Sequence, residues 1–65
     1  MIAVKLMVWE PERILGECNC QVGPKIQVLM IVRAIAADED AALLVLKAHS
    51  DVEWAELDGK VAPLG

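Results

Sequence analysis

KIQVLMIVRAIA, residues 25–36, is a long apolar run, and whether it is strand or helix decides the fold. Its β-branched residues at 26, 28, 31, 32 and 35 favour extended backbone, where a branched side chain packs well on a pleated surface. Leu29, Val32 and Ile35 also recur at helical spacing behind Pro24, so a helix is the rival reading. As a strand, the run puts Ile26, Val28, Met30, Val32 and Ala34 on one face. Gln27, Leu29, Ile31, Arg33 and Ile35 fall on the other, which is largely apolar too. Such a strand is central in its sheet or covered on both sides. It is too short to span a membrane, having about half of the ~20 residues required, and it runs into Asp38-Glu39-Asp40.

Working outward, residues 38–50 predict a helix: three acids occupy its first turn, and Lys47 and His49 lie near its end, both matching the helix dipole. Residues 2–9 alternate as a strand, which Glu10-Pro11-Glu12 ends. Within residues 12–23, PERILGE supports one helical turn with Pro11 at its first position and Gly16 as its stop. CNCQV reads equally as a short strand, and Gly23-Pro24 is a break. Residues 52–64 predict a hairpin around Asp58-Gly59, a favoured type I′ turn, with Pro63 confining the last strand to an edge. The sum is one small α+β domain over residues 1–65, of β-β-α-β-β order, with one helix packed on a mostly antiparallel sheet. Its strand–helix–strand portion, residues 25–57, resembles half of a ferredoxin-like sandwich. That likeness implies a fold and no particular function.

Composition narrows the function classes. A chain of 65 residues has a marginal core unless a disulfide framework, a metal or a partner assists it. Two cysteines are too few for a framework. Apolar residues make up 57% before glycine is counted, against roughly 45–50% with glycine in an ordinary domain. The excess predicts contact with another protein chain. The net charge is −4, and the basic residues stand singly at positions 5, 13, 25, 33, 47 and 60. No patch of them can neutralise a row of phosphates, so neither nucleic acid nor a membrane is an expected partner. Lys5 interrupts the apolar N-terminal stretch and no small-residue cleavage site follows, unlike a signal peptide. The expected setting is the cytoplasm, with reduced cysteines, or a virion if the chain is viral.

GECNCQVG, residues 16–23, holds the only two cysteines. In extended backbone Cys18 and Cys20 would share a face and reach one ion. His49 and a carboxylate such as Glu10 or Glu17 would complete a zinc site, as would the thiolates of a second chain. The usual zinc-ligand spacing is absent, and no lysine or histidine stands near in sequence to activate either thiol. Buried structural cysteines are therefore the first expectation, with no cofactor. A zinc-binding or thiol-redox module at Cys18, Cys20 and His49 is the alternative. Consecutive acids at 38–40 splay about 100° apart on a helix and do not converge on a cation. Ser50 is the only serine, tyrosine is absent and histidine occurs once. A nucleophile–base–orienter set is out of reach, and no enzyme is expected.

The predicted helix is apolar all round. Ala41, Leu44, Val45 and Ala48 form one stripe; Ala42, Leu43 and Leu46 form another. A single sheet covers one of them. Ala42, Leu43 and Leu46, or else the opposite stripe, are expected at a contact between chains. Trp9 is a candidate anchor there, and Trp54 is assigned to the core. The expectation is a small non-enzymatic protein-interaction or assembly subunit. It would act as a homo-oligomer, within a larger complex such as a virus particle, or as a small acidic inhibitor.

Overall fold

The first strand sets the layering. Along β1 (Ile2–Leu6), the side chains of Ile2, Val4 and Leu6 are buried almost completely, while Lys5 on the opposite side is only partly covered. In the computed structural model, which describes residues 1–57, five more elements follow. They are α1 (Pro11–Glu17), β2 (Gln21–Ile26), β3 (Ile31–Ile35), α2 (Glu39–Ala48) and β4 (Val52–Leu57). The four strands form one sheet in the order β2-β3-β1-β4, every neighbouring pair antiparallel.

The α+β architecture, with a helix on an antiparallel sheet, is as the sequence predicts. The connectivity differs in two places: PERILGE forms a full short helix and residues 25–36 divide between two strands, so the described order is β-α-β-β-α-β. This is the connectivity of a ferredoxin-like sandwich, in which each strand–helix–strand unit is split by a strand of the other. Proline at its start and a tight C-terminal stop make α1 possible in so short a segment.

Residues 25–36 are extended but not continuous. A 3₁₀ turn, Gln27–Leu29, separates β2 from β3, and Met30 closes it in the left-handed region at φ 60°. No glycine, asparagine or proline marks this reversal, which is why the sequence reads as one strand. The Met30 carbonyl accepts a hydrogen bond from the Leu6 N–H at 2.8 Å, tying the turn to the end of β1. Within β3 the predicted alternation holds: Val32 and Ala34 are buried, and Ile31, Arg33 and Ile35 face the other way.

Both helices cover the same face. Ile14 and Leu15 of α1 and Ala42 and Leu46 of α2 join Ile2, Val4, Leu6, Val32, Ala34, Val52 and Ala55 in one core. Helix α2 is started by Asp38, whose carboxylate accepts the Ala41 N–H at 3.2 Å. No helix among the described residues is long and apolar enough to cross a membrane. The predicted Asp58-Gly59 turn and the strand limited by Pro63 lie outside the described residues.

Candidate interaction surface

The cysteine segment is a helix stop. Cys18 caps α1 with helical-like backbone, Asn19 is left-handed at φ 58°, and Cys20 begins the return to β2. The Cys20 N–H donates to the Leu15 carbonyl at 2.9 Å and the Asn19 N–H to the Gly16 carbonyl at 3.2 Å. These are the two bonds of a Schellman motif, with asparagine in the position usually given to glycine. The segment is therefore not extended, and the expectation that the two cysteines share a strand face is corrected. Both are free and buried in the core. The Cys20 thiol donates to the Cys18 carbonyl at 3.4 Å. Burial raises both thiol pKa values, so each stays protonated and unreactive at neutral pH.

His49, the third proposed ligand, is engaged at both ring nitrogens. Its Nδ1 accepts the Asp51 N–H at 3.1 Å, which leaves Nε2 to carry the proton donated to Glu17 Oε1 at 2.7 Å. Arg13 spans Glu10 at 2.7 Å, Asp51 at 2.9 Å and Glu17 at 3.3 Å, so this exposed network ties α1 to the turn after α2. Among the described residues, no three of His, Cys, Asp and Glu converge as a metal site. A cleft of ≈ 280 Å³ opens between Asn19 and the start of α2, but its walls are mostly alanine and Val45. Its one carboxylate, Asp38, is occupied as the helix cap.

The predicted contact residues are placed largely inside. Ala42 and Leu46 are buried in the chain's own core and Leu43 packs against it, so that stripe of α2 is the one the sheet covers. The opposite stripe faces outward, with Leu44 70% exposed. Trp9 lies beyond the end of β1 and leans on the core, half-buried. Trp54, assigned from sequence to the core, is on the surface, because its register partner is Lys5, on the side of β1 away from the helices.

That side of the sheet is the feature the sequence did not reveal. Paired residues on neighbouring strands point the same way, so register maps the face. One row reads Ile26, Ile31, Lys5, Trp54 across β2, β3, β1 and β4. The next reads Arg33, Ala3, Glu56 across β3, β1 and β4, with Gly23 of β2 lying under Arg33. A third holds Gln21 and Ile35. Ile26, Ile35 and Trp54 are all exposed, and Val28 and Leu29 extend the apolar surface at the β2–β3 turn. No helix among the described residues packs here. The even-numbered residues of β1 mark the covered face; only knowledge of which strands flank β1 identifies the other. No family model, curated protein or solved structure matches this chain.

Proposed function

We propose that this chain is a small protein-interaction or assembly subunit and that the open face of its sheet is the contact surface. The observation that supports it is the cluster of Ile26, Ile31, Ile35 and Trp54 on a face neither helix covers. Leaving large apolar side chains in water forgoes roughly 1.5–3 kcal/mol each when they are fully exposed, and less here, where they are partly so. Exposed apolar surface interleaved with charges, here Lys5 and Arg33, is common at contact sites. Trp54, on the edge strand β4 beside Lys5, adds the kind of side chain that anchors interfaces.

A photo-reactive amino acid at position 54, compared with one at Val45 on the outer stripe of α2, tests this reading in the native lysate. Protein adducts formed at position 54 and not at position 45 are expected. Adducts confined to position 45, or none at either, would overturn it.

A further inference from the structure

Resting on that reading, we infer that the partner meets the open face with a protein segment carrying a single carboxylate among aliphatic side chains, and that this carboxylate pairs with Lys5. Lys5 stands on β1, an inner strand of the sheet, between Ile31 of β3 and Trp54 of β4. It has no hydrogen-bond or ion-pair partner among the described residues. Arg33, the other cation on this face, already has an interaction within the chain.

A partner that covers Ile31 and Trp54 closes over Lys5 from both sides and takes water from its ammonium. A charge desolvated without a counter-ion is costly, so the covering segment has to supply one. Charge balance sets its kind. One unengaged ammonium matches the single charge of a carboxylate, whereas a phosphate group, at about −1.5 to −2, would be left in excess. A run of acids would be left unmatched too, and a chain of net charge −4 would repel it. The aliphatic neighbours follow from Ile26 and Ile31, which share the row with Lys5, and from exposed Val28 and Leu29 at the turn beyond them. Glu56 lies on the edge strand, where an exposed carboxylate keeps its water.

The chain with the photo-reactive amino acid at position 54, in native lysate and below saturation, tests the pairing when Lys5 is varied. Lys5→Met keeps a long unbranched side chain and removes the charge; Lys47→Met, on α2, removes a charge elsewhere. Adduct yield at position 54 is expected to fall at least tenfold in Lys5→Met and to stay unchanged in Lys47→Met. The partner segment in the adduct, read by mass spectrometry, is expected to hold one aspartate or glutamate among aliphatic residues. Changing that residue to lysine is expected to abolish adducts with Lys5 intact and to restore them with Lys5→Glu. An undiminished or higher yield in Lys5→Met would overturn the inference, because a purely apolar contact gains from that change. So would an equal loss in Lys47→Met, an adducted segment without a carboxylate, or no recovery in the charge-swapped pair. Circular dichroism checks folding; should Lys5→Glu not fold, Lys5→Met and an amide in place of the partner's carboxylate decide. Any of these failures, with adducts still forming at position 54 when Lys5 is intact, leaves the interaction reading standing. No adducts there with Lys5 intact would remove that reading, and the inference with it.

Discussion

On the helix side of the sheet, Ile2, Val4 and Val32 have no exposed surface; on the other side, Ile26, Ile35 and Trp54 keep more than a third of theirs. Both sides carry branched aliphatic side chains, and both belong to the same four strands. What separates them is two helices, which reach one face only and whose inward residues complete one core. Hydrophobicity thus sets how much surface a chain must cover, while connectivity sets which part is left for a partner. Among the described residues both helices lie on one face of the sheet, and no helix lies on the other.

The contrast breaks first at Leu46. Leu46→Ala empties a fully buried position of α2 and is expected to destabilise by about 2–5 kcal/mol in urea unfolding. Trp54→Ala, on the open face, should cost the isolated monomer about 1 kcal/mol or less, chiefly its cross-strand contact with Lys5. Equal losses at the two positions would mean that the open face is part of the folding core.

Two glycines sharpen the same comparison. A Cβ on Gly23 would meet the Arg33 carbonyl oxygen at 2.9 Å and the Arg33 Cβ at 3.3 Å, so β2 and β3 approach closely there. Gly23→Ala is expected to cost about 1–3 kcal/mol through that overlap. On Gly16 in α1, a Cβ would have nothing within 4 Å. Gly16→Ala should therefore stabilise by about 0.5–1 kcal/mol, the ordinary helix preference for alanine. Thermal melts of the two variants shifting in the same direction would contradict this.

The smallest effect belongs to the polar rim. The hydrogen bond from His49, and then Arg13, hold the Glu17 carboxyl below its usual pKa. A depressed native-state value adds stability above the unfolded-state pKa, and that stability is lost as pH falls through the native value. Wild type should exceed Glu17→Gln in stability at neutral pH, and the difference should shrink as pH falls below the ordinary glutamate range. As an exposed network it contributes little, so a difference rivalling that at Leu46 would reverse the ranking.

How legible a segment was depended on whether its signal was local. The helix at 39–48 announces itself through a capping aspartate, acids in the first turn and Lys47 in the last, each acting within a few residues. β1 and the proline-started α1 are similar. The turn at 27–30 was hidden, because Gln, Val, Leu and Met carry no turn chemistry. Met30 enters the left-handed region under constraint from the strands it joins and from its bond to Leu6. The backbone of the cysteine segment was hidden for the converse reason: CNCQV reads as extended, yet the informative residue is Asn19, which tolerates the left-handed turn that stops α1.

By itself the sequence determined the α+β class, the place of the long helix, the apolar excess and the poverty of catalytic groups, because composition and short-range spacing carry all of these. Which stripe of α2 turns inward was decided only in the tertiary structure, and so was the exposure of Trp54 in place of Trp9. A helix apolar all round and a strand apolar on both sides do not name their inner face. That choice is made when β3 and β4 pair on either side of β1, and both helices close over the same side of the sheet.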